Sequence, residues 1–240
     1  MCLDSQHHHP PASPARRALL RQGGLALAAG AATGLMPQLL HAEASLAPAP
    51  ETPAAALAAL VEGNQRFVAG RPIAPHRDFA RLREIAPKQS PFAAFLGCAD
   101  SRVPVEIVFD QGFGDIFVSR IAGNIAVSEQ IASLEFGTAV LGAKVLFVLG
   151  HTACGAVSAT MSGADVPGQI SSLYYHISPA VRLAKGDIDV AIRENVRLQA
   201  LALRDGSTVI RRLVREGKLL VVGGVYDLSS GRVSMVELGA

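Results

Sequence analysis

The sequence has little net charge and no long uninterrupted hydrophobic run. Its 22 Lys and Arg residues stand against 20 Asp and Glu residues, which leaves a formal charge of +2 over 240 residues. The basic side chains from Arg193 to Arg215 are interleaved with acidic ones, as on a solvated helix face, so no basic stripe is available for nucleic acid. Half of the residues are apolar, which is enough to bury one substantial core. We therefore expect one globular domain and no nucleic-acid partner.

The first residues differ in composition from the rest of the chain. Arg16 and Arg17 precede an Ala-rich and Gly-rich apolar run at 25–40, and Ala42-Glu43-Ala44 follows with small residues typical of a cleavage site. This order predicts an export signal over 1–44, and the paired arginines resemble a twin-arginine signal, with a general secretory signal as the alternative. Pro37 interrupts the apolar run, so a retained membrane span is disfavoured. The prediction is a periplasmic protein without a stable membrane span after processing.

The remaining chain divides into a short linker and one domain. Residues 45–53 are rich in Pro and Ala and predict an extended linker, and residues 54–240 form the predicted domain. Apolar stretches at 92–97, 144–149 and 219–226 lack alternation, which is typical of strands buried on both faces. A further strand is predicted at 115–120, and helices are predicted at 54–69, 79–85, 125–141, 171–184, 187–204 and 207–216.

This order of elements predicts an α/β fold. Strands separated by helices imply right-handed crossovers, hence a mostly parallel central sheet flanked by helices. A turn at 229–231 leads into 233–238, which we expect to be an antiparallel edge strand. The carboxyl ends of the first and third strands then share one edge of the sheet, and that edge is where α/β sheets bind ligands.

Cysteine is scarce: the chain has three, and only Cys98 and Cys154 follow the predicted leader. In an exported protein two cysteines would ordinarily suggest a disulfide. Cys98, however, ends the first predicted strand, while His151 follows the third strand and Cys154 lies three residues further on. Two thiolates and one imidazole suit tetrahedral zinc and leave one position for water. Each residue alone could be a packing residue, so the zinc hypothesis depends on the topology that brings them together.

An acidic and a basic residue follow the first of these cysteines. Asp100 and Arg102 are close enough in a tight loop to form an ion pair, and an ordinary loop salt bridge is the simplest interpretation. Beside zinc, a carboxylate held ionised by Arg102 could accept the hydrogen of zinc-bound hydroxide and leave its lone pair for substrate. Swung inward, Asp100 could instead be the fourth zinc ligand in a closed state.

These residues carry a resemblance to a known family. The stretch Cys98-Ala99-Asp100-Ser101-Arg102-Val103-Pro104, with His151-x-x-Cys154-Gly155 further on, resembles the bacterial β-class carbonic anhydrases. The resemblance extends over about 55–240 and includes Arg120-Ile121-Ala122-Gly123-Asn124. It implies one zinc ion per subunit, a homodimer or a dimer of dimers, and the reversible hydration of carbon dioxide to bicarbonate and a proton by attack of zinc-bound hydroxide.

The resemblance also implies roles for individual residues. The metal ligands are then Cys98, His151 and Cys154, and the catalytic residues are Asp100, Arg102 and Gln89, the last orienting a substrate oxygen. The substrate pocket would be lined by Phe117, Phe136 and the backbone amide of Gly155. Family members with a regulatory bicarbonate site carry Trp where this chain has Phe95, and the chain has no Trp at all, so that form of regulation is not expected.

Two alternative functions stay open from the sequence. The same zinc site could hydrolyse carbonyl sulfide or carbon disulfide, because related folds use the same attack on these molecules. The chain could also be a non-catalytic module in which Cys98 and Cys154 bind a structural zinc ion or undergo oxidation. The second alternative leaves Asp100, Arg102 and Gln89 without a purpose.

Overall fold

A computed structural model describes residues 49–239 of the chain. The predicted export signal of residues 1–44 lies outside the described residues, and so do residues 45–48 of the predicted linker. None of the helices between residues 49 and 239 combines the length and the apolar character that a membrane crossing requires.

The centre of the fold is a mixed sheet of five strands in the order β2-β1-β3-β4-β5. The strands are β1 (Ala93–Gly97), β2 (Ile116–Arg120), β3 (Val145–His151), β4 (Leu220–Tyr226) and β5 (Val233–Val236). Strand β1 pairs parallel with β2 and β3, and β3 pairs parallel with β4, whereas β5 pairs antiparallel with β4. This confirms the predicted α/β fold with an antiparallel edge strand. All residues of β1 and β3 are buried, which explains why their sequences do not alternate.

The helices lie on both faces of this sheet. They are α1 (Pro53–Val68), α2 (Phe79–Ile85), α3 (Val105–Val108), α4 (Ser128–Glu135), α5 (Gly155–Ser162), α6 (Ser172–Ala184), α7 (Ile188–Leu201) and α8 (Thr208–Arg215). Helix α1 begins where the sequence favours it, because Pro53 fits the first turn and the Thr52 hydroxyl accepts a hydrogen bond from Ala55 N–H at 3.2 Å.

The helix predicted at 125–141 is shorter and less regular than expected. A 3₁₀ turn at Ala122–Asn124 precedes α4, and a wide turn of π type at Phe136–Val140 follows it. Within that wide turn the Thr138 hydroxyl donates to Leu134 O at 2.7 Å, a local bond that competes with regular helix geometry. A second wide turn, Ala202–Gly206, likewise ends the helix predicted at 187–204.

Strand alternation divides the core between the two faces. Ala94 and Leu96 of β1 face the helices that follow β2, while Phe95 faces α1 and α3 and packs with Phe109 and Phe147 at ring-centroid distances of 5.0 and 5.2 Å. Buried Asn64 attaches α1 to this second face. Its side chain donates to Val108 O and Gly231 O at 3.0 and 2.9 Å and accepts from Val233 N–H at 2.9 Å.

The register of the sheet determines where the candidate ligands meet. Gly97, the last residue of β1, lies opposite Leu149 of β3, and β3 continues for two more residues to His151. Cys98 follows β1 directly. Because the two strands are adjacent and parallel, Cys98 and His151 lie at the same carboxyl edge of the sheet.

Candidate metal centre

Three buried side chains converge at this carboxyl edge. Cys98, His151 and Cys154 are exposed by 3 %, 0 % and 2 %. One ligand atom from each lies within 4.8 Å of the other two. Zinc bonds of about 2.3 Å to sulfur and about 2.0 Å to nitrogen would hold tetrahedral ligand atoms roughly 3.5–4 Å apart, so only a small contraction is needed. Within the described residues both cysteines are free thiols, and the disulfide alternative is not realised.

The His151 ring is oriented by its own loop. Nδ1 lies 2.9 Å from Thr152 O, and a carbonyl can only accept, so Nδ1 carries the proton and Nε2 presents a lone pair. That Nε2 is fully buried and has no hydrogen-bond partner among residues 49–239. A buried acceptor without a partner is costly, and a metal ion at this point would satisfy it.

A strained loop brings Cys154 back towards His151. Ala153, between them, has φ of 53°, in the left-handed region that residues with a Cβ rarely adopt. Cys154 then occupies the N-cap position of α5, where the backbone N–H groups of Val157 and Ala156 act to lower the pKa of its thiol. Strain of this kind persists where the surrounding structure over-determines it, as at a ligand-binding loop.

The two sulfur atoms favour one shared negative charge. A hydrogen bond from Cys154 lowers the pKa of Cys98 to about 4 against the opposing effect of burial, and the Gly123 N–H, 3.3 Å from Cys98 Sγ, adds to the lowering. The same contact with Cys98, together with burial, raises the pKa of Cys154. A divalent cation between the sulfurs would let both be thiolates, so the donor set fits zinc on its chemistry as well as its geometry.

Asp100 and Arg102 form the pair that their spacing predicts. Arg102 Nε donates to Asp100 Oδ1 at 2.9 Å and its Nη2 donates to Oδ2 at 2.7 Å, a bidentate pair. Hydrogen bonds from Arg102 hold the pKa of Asp100 well below its usual range. Asp100 Oδ2 lies 3.8 Å from His151 Nε2, so the carboxylate adjoins the ligand cluster. Arg102 also donates to Ala153 O at 3.3 Å, which joins the two loops.

Arg120 and Gly123 support the site, although the sequence predicted no role for either residue. Arg120, at the end of β2, donates through Nε to Cys98 O at 2.8 Å and through Nη2 to Asp100 O at 2.5 Å. These bonds hold the loop that carries both the candidate ligand Cys98 and the carboxylate of Asp100. The available signal was the position of Arg120 at the end of a third strand on the same edge, directly before a Gly-Asn turn.

The remaining predicted site residues do not all lie here. Gly155 does, as the first residue of α5, and a Cβ built on it would meet no atom within 4 Å, so its backbone faces open space. Gln89 is exposed in the loop that precedes β1, beside Val140 and Leu141 before β3. It therefore lies at the amino edge of the sheet, and β1 alone separates that edge from Cys98 by about 16 Å.

Phe117 and Phe136 also lie away from the cluster within one chain. Their rings contact each other with centroids 6.4 Å apart, and Phe117 packs closely on Gly137. Phe117 is paired with Ala94, four residues before Cys98, on strand β2 at the edge of the sheet. Phe136 is 47 % exposed. Their predicted role in the substrate pocket thus requires something other than the contacts of a single chain.

A buried Cys-His-Cys set and an Asp–Arg pair at the carboxyl edge of a parallel sheet define a zinc-binding α/β protein. Residues 93–233 match the family model described as carbonic anhydrase. The chain is 39 % identical over 188 residues to Carbonic anhydrase 2 of Mycobacterium tuberculosis, covering 75 % of this chain and 91 % of that protein. It is 38 % identical over 191 residues to the carbonic anhydrase of Mycolicibacterium smegmatis, covering 76 % and 93 %.

Comparison with solved structures agrees with these matches. A tetrameric β-carbonic anhydrase from the ascomycete Sordaria macrospora superposes with a TM-score of 0.61 at 25 % identity, covering 66 % of this chain and 87 % of that one. The chain belongs to the carbonic anhydrase family, in its β class. The resemblance noted from the Cys98–Pro104 stretch is confirmed.

Proposed function

We propose that the protein catalyses the reversible hydration of carbon dioxide to bicarbonate and a proton, with one zinc ion held by Cys98, His151 and Cys154. The observation that carries this function is the dyad: Asp100 is bonded twice to Arg102, and its Oδ2 lies 3.8 Å from His151 Nε2. A structural zinc site has no use for an ionised carboxylate held beside the ligands. The family membership of the chain supports the same activity.

The chain's own residues divide the chemical work. Cys98, His151 and Cys154 would hold a zinc ion, which would supply a Lewis acid able to activate water near neutral pH. Asp100, ionised by Arg102, can only accept hydrogen bonds, so it draws the hydrogen of the attacking water towards itself and leaves an oxygen lone pair free for carbon dioxide. Arg102 holds both carboxylate oxygens of Asp100, which keeps this carboxylate beside the three candidate ligands and not among them. Gly155 leaves room for a small linear substrate because it has no side chain.

The direct test is carbon dioxide hydration by the purified protein, measured by stopped flow together with zinc content. We expect hydration in proportion to bound zinc and none in Cys98→Ser, which lacks a ligand. Carbonyl sulfide and carbon disulfide are offered in parallel. Hydrolysis of either without carbon dioxide hydration would establish the sulfur-substrate alternative. Full zinc content with no activity on any of the three would leave a structural or redox role.

We infer further that a second copy of the chain completes the active site. The proposed substrate residues Gln89, Phe117 and Phe136 lie towards the amino edge or on strand β2, whereas the metal ligands lie at the carboxyl edge. Among residues 49–239 no strand pairs with the outer edge of β2, and half-exposed Phe136 lies near that edge. A homodimer could bring Gln89 of one copy to the zinc site of the other, and dimers could pair into tetramers.

Mixed dimers test this arrangement. Gln89→Ala and Asp100→Asn are each expected to be weakly active alone. A dimer containing one copy of each would have one site with both residues intact if Gln89 acts across the interface. We therefore expect mixing, after dissociation and reassembly, to restore activity well above either parent. No gain on mixing would show that each chain uses its own Gln89.

We also propose that the protein is exported to the periplasm by the twin-arginine route. The support is the sequence Arg16-Arg17 before the Ala-rich and Gly-rich run and the small residues at 42–44. That route carries folded proteins and suits an enzyme that acquires its metal first. In a bacterial host, the full chain should be recovered from the periplasm. The double variant R16K/R17K should remain in the cytoplasm, and its continued export would indicate the general secretory route.

A further inference from the structure

Two buried carboxamide side chains lie behind the metal centre, on helix α7. Asn195 is exposed by 1 % and Gln199, one turn further on, by 6 %. Gln199 Nε2 donates to Asn195 Oδ1 at 3.2 Å and to His176 O at 3.1 Å. Buried amides cost free energy unless they are bonded, and apolar side chains would fill the same face of α7 more cheaply. Their remaining bonds show what they hold.

Both amides bind one short segment, the Gly123–Ala126 turn. Asn195 Nδ2 donates to Gly123 O at 2.8 Å, and Gln199 Oε1 accepts from Ala126 N–H at 2.9 Å. The turn is irregular and tight: φ is 74° at Gly123 and 44° at Asn124. Glycine suits position 123 because its φ is left-handed, and a Cβ there would also lie 2.7 Å from Ile177 Cδ1.

The same glycine contacts a metal ligand. Gly123 N–H donates to Cys98 Sγ at 3.3 Å, inside the protein. The N–H and C=O groups of Gly123 are attached to the same Cα. At the φ and ψ of this turn, a hydrogen bond that holds the C=O in one direction therefore also holds the N–H in one direction. Asn195 thereby sets whether the N–H points at the sulfur, through one residue and without touching the metal site itself.

We propose that Asn195, supported by Gln199, is a positioning residue for zinc: it holds the Gly123 N–H on Cys98 Sγ and so sets the strength and electronic character of the Cys98–zinc bond. This proposal rests on the proposed zinc site. Some residues bond to the metal ligands without touching the metal. Removing such a hydrogen bond commonly weakens metal affinity about 10- to 100-fold. An N–H bonded to a thiolate sulfur draws charge from it and tunes its bond to the metal.

The test uses two variants of Asn195 with different consequences for Gln199. Asn195→Leu removes both bonds of the amide at similar volume. Asn195→Asp keeps an acceptor for Gln199 Nε2 but loses the donor to Gly123 O, so it isolates the bond that matters. We expect zinc dissociation constants, from chelator competition, to rise about 10-fold in both. In the cobalt-substituted proteins the near-ultraviolet thiolate-to-cobalt band should shift in energy or intensity.

The matched control is Asn64→Leu. Asn64 is another buried amide that donates to a glycine carbonyl, Gly231 O, but it joins α1 to β5 and bonds neither to the cysteines nor to Gly123. It should lower thermal stability as Asn195→Leu does, yet leave zinc affinity within about twofold and the cobalt spectrum unchanged. Unchanged affinity and spectrum in both Asn195 variants would overturn the proposal, and so would equal changes in Asn64→Leu. Absence of zinc binding by the unaltered protein would instead refute the zinc site.

Discussion

Asp100 is the residue whose surroundings determine the chemistry of the site. Its carboxylate accepts two hydrogen bonds from the Arg102 side chain and one from the Arg102 backbone N–H. These bonds keep it ionised, and its Oδ2 lies 3.8 Å from His151 Nε2. Because it is not among the three converging donors, removing its charge should not empty the zinc site. Its contribution lies in orienting the attacking water.

Replacing Asp100 by Asn should therefore separate activity from metal binding. An amide can donate as well as accept, so it no longer dictates the orientation of a neighbouring O–H. We expect kcat/KM for carbon dioxide hydration to fall about 10- to 100-fold while zinc content stays at one per chain. Arg102→Lys keeps the charge but cannot form the bidentate pair. Its kcat/KM should therefore lie between those of the unaltered protein and of Asp100→Asn. Unimpaired hydration by Asp100→Asn would eliminate the dyad role.

Away from the metal site, Asp110 is a single side chain that is expected to contribute strongly to the stability of the fold. It is fully buried with φ of 48°, and it accepts from Arg66 Nε at 2.7 Å and from the N–H groups of Ile73 and Ala74 at 3.0 and 2.9 Å. It thus attaches the loop after α1 to the segment before β2.

We expect Asp110→Asn to lower the free energy of unfolding by about 3 kcal/mol, because it keeps the shape but removes the buried negative charge that pairs with Arg66 and replaces one of the two accepting oxygens by an NH2 group. Urea unfolding measures this. The matched control is Glu194→Gln, which breaks the half-exposed pair with Arg197 on the surface of α7 and should cost under about 1 kcal/mol. Equal costs in the two variants would mean that the buried pair contributes no more than a surface one.

At the scale of elements, α1 approaches the rest of the fold more closely than any side chain would allow. A Cβ on Gly63 would lie 1.9 Å from Phe109 O, a backbone atom that cannot move aside. The close approach is what lets neighbouring Asn64 reach Val108 O. Glycine weakens a helix interior, so its presence here reflects packing between elements and not the helix itself.

Gly63→Ala should accordingly destabilise the protein although alanine is the better helix former. Overpacking against fixed backbone is expected to cost about 3 kcal/mol, or about 6–12 °C in Tm for a domain of this size. Gly206→Ala is the control, because a Cβ there meets nothing within 4 Å and its φ is not left-handed. Calorimetry should find the control within about 0.5 kcal/mol of the parent. A stabilised Gly63→Ala protein would contradict the close approach.

For the whole molecule, the metal site should contribute to the stability of the fold. Its donors come from the ends of β1 and β3 and from the start of α5, so a bound ion cross-links elements that are distant in sequence. Zinc at about 1,000 times its dissociation constant would stabilise the folded state by about 4 kcal/mol.

Removal of zinc by a chelator should thus lower Tm by about 8–16 °C, and added zinc should restore it. Cys98→Ser supplies the reference, since a chain without the ligand should be insensitive to the chelator. The prediction fails if chelator-treated and zinc-loaded protein unfold at the same temperature, or if Cys98→Ser responds to chelation as the parent does.

Much of the fold was predictable because its signals are local. Unbroken apolar stretches such as 144–149 indicated buried strands, and the helices between them required parallel neighbours. The spacing of Asp100 and Arg102 was enough to predict their pair. The wide turns after α4 and α7 were not predictable; in the first of them the Thr138 hydroxyl donates to Leu134 O, a bond that competes with helix geometry. Asn195 and Gln199 left only a weak signal, two polar residues on the buried face of an amphipathic helix.

The sequence by itself determined the α/β architecture, the three candidate zinc ligands, the Asp100–Arg102 pair and the family. These properties follow from strand burial, from the type of ligand residue and from spacings of a few residues, all of which can be read from the sequence. Only the tertiary structure decided that Gln89 and Cys98 lie at opposite edges of the sheet, that Arg120 holds the ligand loop, and that Asn195 reaches Cys98 through Gly123. The hydrogen bonds among these residues join positions 22 to 72 apart, and they depend on strand length, register and helix packing, whose combination in space no local pattern specifies.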